Sequence, residues 1–375
     1  MQSLYEQGLS LLHERKLRFV NEFIPYFFMS YACHCFNLMN IKRGIYHEHG
    51  PVPDSRLHLL FCAPPGFSKS LFMRHCFDPD YGILWSNAIP STFELSCTEA
   101  GWTGSLSGDR DAPIKSLGLA EEYATGVVSI EEFRGITMAL QQEHSLAFEA
   151  QLNASLFGGH VRKRMKAGSI SYDTCVSLIA GTQITRFDIS AGLGRRFNYI
   201  YWVPTPEDFK ELREGLWEGD NVPLDMAGLV TFRTNLNNWI RDLESIERVR
   251  YTDAFRKFLN GRPHFEQLIY RKEALGYTLF KLSKLPREVL VDIDPELERL
   301  LTVNFRWREE LLGDPQGSQV MDILRAHNNR MHHTDLQLEL LKYSVNFETA
   351  GHIIDRLIVN RMIRHNYKTG ELQIA

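Results

Sequence analysis

The sequence predicts an α/β chain: a core built on a parallel sheet, an all-helical stretch after it, and a small unit of helices and a ribbon at the C-terminus. Three observations carry this. Short, continuous apolar runs alternate with helical segments, as expected of strands buried on both faces of a parallel sheet. From Glu207 to about Leu312 the apolar spacing is helical throughout, without strand signals. A break at Gly313-Asp314-Pro315-Gln316-Gly317 then precedes three helical patterns and a ribbon with Thr369-Gly370 at its turn.

Residues 1–50 read as an N-terminal helical segment, with Leu4, Leu11 and Leu12, then Phe19, Phe23, Tyr26 and Phe27 at helical spacing. Pro25 predicts a kink or interruption there. The turn-rich stretch His47–Ser55 punctuates the chain, and a core follows over 51–205. Its first strand is Leu57–Cys62, leading into Ala63-Pro64-Pro65-Gly66. The second, Gly126–Ile130, ends in Glu131-Glu132. The third, Cys175–Ala180, ends in Gly181-Thr182-Gln183. The fourth, Asn198–Val203, stops at Pro204. The unit 316–375 divides into helices at about Ser318–Asn328, Thr334–Tyr343 and Phe347–Met362, with Thr334 and Asn346 as N-caps, and a β-ribbon from Ile363. That is the plan of a winged helix, a helix-turn-helix variant. Its third helix carries His352, Arg356 and Arg361 beside Glu348 and Asp355, so DNA contact and protein contact stay equally open.

At 375 residues the chain can hold two or three domains. A net charge of −4 excludes a globally basic nucleic-acid coat, so DNA binding would need local patches. No apolar run is long enough to span a bilayer, and the start lacks the plan of a signal peptide. The 6 cysteines form no CxxC pair, which argues against a zinc ribbon or a disulfide framework. A cytoplasmic, intracellular protein without a membrane partner is expected.

The loop Ala63-Pro64-Pro65-Gly66-Phe67-Ser68-Lys69-Ser70 lies between a strand and a helix. Phosphates bind in such a place because backbone N–H groups and a helix N-terminus supply positive potential, a lysine adds a point charge, and a hydroxyl reaches magnesium. The GxxxxGK[ST] pattern is incomplete, since Ala63 and Ser68 stand where glycines are usual. Downstream, Glu131 and Glu132 would face the same crevice from the end of a buried strand. One acid can hold magnesium and the next can deprotonate the attacking water. Thr182 and Gln183 end the third strand, where a polar side chain could sense the γ-phosphate. Arg195 and Arg196 follow, and either could serve a neighbouring subunit's site.

Together these residues resemble the minichromosome-maintenance branch of the AAA+ helicases, over roughly residues 50–300. Ser68-Lys69-Ser70 is similar to that family's phosphate loop, and Gly126–Phe133 (GVVSIEEF) to its Walker B segment, with Glu131 replacing the usual aspartate. Ala100–Leu106 resembles the stretch leading into its helix-2 insert, and Arg164–Ile170 its pre-sensor hairpin. The resemblance implies an AAA+ P-loop core, a helical lid over 206–312, sensor 1 at Thr182, an arginine finger at Arg196 and, more weakly, sensor 2 at Arg271. It describes a shortened form without the family's large N-terminal domain.

His160–Lys166 holds four cations, Arg162, Lys163, Arg164 and Lys166, which inside a ring would track a phosphate backbone without reading sequence. The expected function is a ring-forming motor, a homo-hexamer, that hydrolyses ATP with Mg2+ and translocates on or unwinds single- or double-stranded DNA. It would act in replication of a chromosome or mobile element, associated with the nucleoid or replicon, with a loader or initiator as possible partner. Lys69, Glu132 and Arg196 would be catalytic. Ser70 and Glu131 would bind the metal. Pro64–Ser70, Thr182, Gln183, Arg195 and Arg271 would hold the nucleotide. A MoxR-like protein remodeller, and a nucleotide-regulated DNA-binding protein with weak turnover, are the alternatives.

Overall fold

The computed structural model describes residues 2–40, 46–47, 50–51, 54–108, 114–136, 145–183, 196–219, 224–313, 315–343, 345–359 and 362–374. The chain is α/β. Strands β1 (His58–Cys62), β2 (Ser91–Ser96) and β3 (Val127–Glu132) precede a hairpin of β4 (His160–Met165) and β5 (Gly168–Asp173), and β6 (Ser177–Thr182) and β7 (Phe197–Tyr201) follow. Five of them form one sheet in the order β7-β1-β6-β3-β2, with every neighbouring pair parallel. Residues of β1, β6 and β7 are buried along their whole length, which is why each reads as an unbroken apolar run. Strand β2 was not expected. It lies at the sheet's edge, and its burial fades from Ser91 to an exposed Leu95, so STFELS carries no apolar run.

Helix α1 (Leu4–Glu14) starts at a capping box, Ser3 Oγ accepting from Glu6 N–H while the Glu6 carboxylate accepts from Ser3 N–H. Helix α2 (Val20–Asn40) has 17 of its 21 residues buried, Ser30, His34 and Asn37 among them, so it is covered nearly all round. Phe23 and Phe27 pack on Phe61 of β1, and Phe61 and Phe23 also meet Phe72 on α3 (Lys69–Phe77), so α2 and α3 share one face of the sheet. The other face buries His58 under Leu156 and Phe157, from the turn after α4 (Ser145–Asn153).

Pro25 neither interrupts nor ends α2. The carbonyl it leaves without an N–H, that of Asn21 four residues back, accepts from Arg299 Nη2 at 3.3 Å. That rescue comes from the later helices α5 (Pro206–Gly219), α6 (Met226–Asp242), α7 (His264–Lys281) and α8 (Pro295–Gly313). In α2, Tyr26 donates to Leu300 O at 2.8 Å, and Cys33 Sγ to Lys272 O at 2.9 Å. One continuous hydrophobic core therefore runs from Leu4 through the sheet to Leu311. The N-terminal segment and the later helices share this core. Inside the stretch expected to be wholly helical, Arg248–Tyr251 and Glu288–Val291 pair as short parallel strands. Four residues of alternating exposure are too few for the pattern to stand out.

From Pro315 the chain builds a unit with its own core. Helices α9 (Pro315–Ala326), α10 (His333–Lys342) and α11 (Phe347–Val359) bury Leu324, Leu336, Leu340, Ile354 and Leu357. The ribbon Ile363–Asn366 and Glu371–Ile374 forms as expected, turning at Gly370 with φ +73°. A third strand, Arg330–His332, pairs on the free side of Glu371–Ile374. Among the described residues no helix is long and apolar enough to cross a membrane.

Candidate functional site

Because β1, β6 and β3 are adjacent and parallel, their C-terminal ends bring Ala63, Thr182-Gln183 and Glu131-Glu132 to one edge of the sheet. The Ala63–Ser68 loop leaves β1 with Ala63 N–H donating to Thr182 O at 3.2 Å. Two residues of the loop are left-handed, Gly66 at φ +79° and Ser68 at φ +53°. Glycine adopts that conformation freely; at Ser68 it costs roughly 1–2 kcal/mol. Ser68 gives α3 no side-chain cap, so the first amides of α3 keep their hydrogen-bonding capacity for something else.

Lys69 opens α3 and is buried. Its Nζ donates to Ala63 O and Pro64 O, each at 2.9 Å, which holds the amine inside the loop. Burial pulls its pKa down to about 8, with Glu132, Cys62 and Glu131 opposing that shift. The next residue, Ser70, donates its hydroxyl to a carboxylate oxygen of Glu131. Gln183 Nε2 donates to Glu132 Oε2 at 3.1 Å. Three segments far apart in sequence thus meet as an amine, a hydroxyl, two carboxylates and an amide. Close packing at the edge is built in: a Cβ on Gly181 would lie 2.3 Å from Glu131 O.

Thr182 shares this edge with Gln183, whereas Arg196 and Arg271 lie elsewhere. Thr182 is buried and its carbonyl serves the loop, so the polar group that reaches the acids from β6 is Gln183. Arg196 is exposed, donates to Asn153 Oδ1 at 3.0 Å and lies 4.6 Å over the Phe157 ring. It precedes β7, whose first residue pairs with His58, the first residue of β1. It therefore sits at the opposite edge of the sheet from Lys69, about 15 Å away at the rise of a strand. Arg271 is not brought to the loop either. It stacks 4.6 Å from the Tyr251 ring, while its neighbour Lys272 donates to Arg56 O at 2.9 Å, before β1 begins. The packing of α7 on α2 sets that register and turns Arg271 toward Tyr251. Arg195 lies outside the described residues.

In the β4–β5 hairpin, Arg162 and Arg164 are exposed opposite Ser171 and Ser169, and Lys166 is exposed at the turn. Lys163 differs from these three. It points inward, 3.0 Å from the Glu99 carboxylate, and donates to Thr103 Oγ1 at 3.1 Å. Its charge joins the hairpin to the Glu99–Thr103 helix.

Phe67, between the two left-handed residues of the loop, is only 2% exposed. Its ring stacks on Tyr343 at 5.9 Å and 6°, and meets Phe209 at 4.1 Å and Trp202 at 6.1 Å. Sequence reasoning missed these partners, because Tyr343 reads as an ordinary apolar helix position. The chain matches no protein-family model and no curated protein sequence.

Proposed function

We propose that the chain is an ATP-hydrolysing motor of the AAA+ helicase type, resembling the minichromosome-maintenance branch and acting on DNA as a ring. The observation that carries the proposal is the meeting of Lys69, Ser70–Glu131 and Gln183–Glu132 at one sheet edge, around an uncapped helix N-terminus. In this reading the α3 amides and Lys69 bind the β- and γ-phosphates. Glu132 accepts the proton of the attacking water, and Gln183 holds that carboxylate in place.

Among the described residues no group of three or more His, Cys, Asp or Glu converges on a metal site. Magnesium does not need one, since it keeps several waters and takes phosphate oxygens. Ser70 and Glu131, already in contact, fit as its two protein ligands. When bound, the ion would neutralise charge on the transferring phosphoryl group. Arg196, at the far edge from its own Lys69, would act in a neighbouring subunit. Arg162, Arg164 and Lys166 would touch the DNA backbone, and the unit from Pro315 would serve as a winged helix.

The test is the ATPase rate of protein sized in solution, with and without single-stranded DNA. Stimulation by DNA is expected. Steady turnover indifferent to DNA would favour the MoxR-like remodeller, and tight binding with negligible turnover in saturating DNA would favour a nucleotide-regulated binding protein.

A further inference from the structure

The Ala63–Ser68 loop does not close on its own core alone. Its central side chain, Phe67, belongs to the hydrophobic core of the C-terminal unit, together with Leu340, Tyr343 and Ile354, and with Leu212 of α5. The contact is directional. The Phe67 and Tyr343 rings are nearly parallel, 6° apart, and the Tyr343 hydroxyl donates to Pro204 O at 3.0 Å, in the segment that follows β7. Phe209 closes the third side at 4.1 Å.

Beside this cluster a cavity of about 300 Å3 is lined by Trp307 and Glu310 of α8 and by Asp322 and Ile323 of α9. The aromatic cluster joins the loop to the core of the unit. Gly66 and Ser68 hold left-handed backbone on either side of Phe67, and the loop shaped this way carries the Phe67 ring against Tyr343 and leads directly into Lys69.

We infer that Tyr343 is a positioning residue for the Ala63–Ser68 loop: by clamping Phe67, the C-terminal unit sets the shape of the site around Lys69 from the other end of the chain. For nucleotide, this rests on the reading given under Proposed function. Coupling of this kind is reciprocal, so nucleotide in the loop steadies the docked unit to the extent that the docked unit favours nucleotide.

The test uses the full chain with Tyr343→Leu, which keeps an apolar side chain but loses the stacking and the hydroxyl. Tyr343→Phe is the conservative partner. Leu372→Ala, in the same core on the strand Glu371–Ile374, is the control for general loosening. Two readouts are taken: amide hydrogen exchange over 63–71 without nucleotide, and affinity for a fluorescent ATP analogue with Mg2+. Tyr343→Leu should speed exchange in the loop and weaken the analogue by about tenfold, within the usual range of coupling between sites. Tyr343→Phe should restore most of both. Leu372→Ala should lower Tm and leave both as in the wild type. Wild-type exchange in a folded Tyr343→Leu protein overturns the inference, and so does an equal effect of Leu372→Ala. If the wild type binds no analogue, the nucleotide reading falls, while the exchange arm still decides whether Tyr343 positions the loop.

Discussion

The hydroxyl of Ser70, in the first turn of α3, donates to the carboxylate of Glu131 near the end of β3, joining residues 61 positions apart; β1, which leads into α3, and β3 are not neighbours in the sheet. Strand β6 lies between them and contributes Gln183, which holds the adjacent acid, Glu132. The two carboxylates therefore have different partners and should respond differently to substitution. Lys69→Ala should abolish ATP binding, whereas Glu132→Gln should keep binding and lower hydrolysis by about 10²–10⁴-fold, the usual worth of a general base. Equilibrium binding and single-turnover hydrolysis on both variants check the split. Loss of binding in both would count against it.

The hairpin makes an unusual contrast between neighbouring lysines. Lys166→Ala should leave stability unchanged and lower the slope of log affinity against log salt by about one phosphate contact per engaged subunit. Lys163→Ala should instead lower stability by about 1 kcal/mol or more, because it removes a half-buried set of hydrogen bonds to Glu99 and Thr103. Thermal melts and salt titrations of the two proteins, run side by side, separate the roles.

Arg196 cannot serve the Lys69 of its own chain from the far edge of the sheet. Mixing Arg196→Ala protein with Glu132→Gln protein should regenerate some complete sites at mixed interfaces and restore ATPase above that of either alone. Co-assembly proven by pull-down with no gain in rate would reject a shared site.

Stability should pass through a maximum in mildly acidic solution. Burial pushes the Glu273 carboxyl up to about 8, although Asn198 donates to it and Arg308 is near. Between the unfolded value near 4 and that folded value, the native state holds the extra proton, so stability falls as pH rises. Buried His34 and His58 are shifted the other way, down to about 4 and about 3, because both lie in the core. The unfolded state binds their protons first, so stability also falls as pH drops below about 6.5. Urea unfolding across pH 4 to 9 reads both limbs. Glu273→Gln should flatten the alkaline limb, which in the wild type amounts to an effect on the order of 5 kcal/mol.

Much of this architecture was legible in the chain. Strands buried on both faces announce themselves as apolar runs, and four of the five sheet strands show this, two of them ending in polar residues, Glu131-Glu132 and Thr182-Gln183. The acids after β3 and the Lys69–Ser70 pair before α3 needed only a parallel sheet to share an edge. The edge strand Ser91–Ser96 was hidden because partial burial asks little of its side chains. The central placement of α2 was less legible, because Ser30, His34 and Asn37 fall on one helix face and read as polar, whereas the fold buries all three with hydrogen-bond partners.

Local sequence therefore determined which elements form and what chemistry stands at their ends, because burial on both faces and turn chemistry act within a few residues. Tertiary structure alone decided what those side chains were used for. It turned Lys163 inward to Glu99 and sent Arg271 to Tyr251 and Arg196 to the far edge. It also placed Phe67 against Tyr343, 276 positions later. Such pairings depend on the register of whole helices packed on a shared core, which is set by contacts between residues hundreds of positions apart and leaves no periodic trace in either partner.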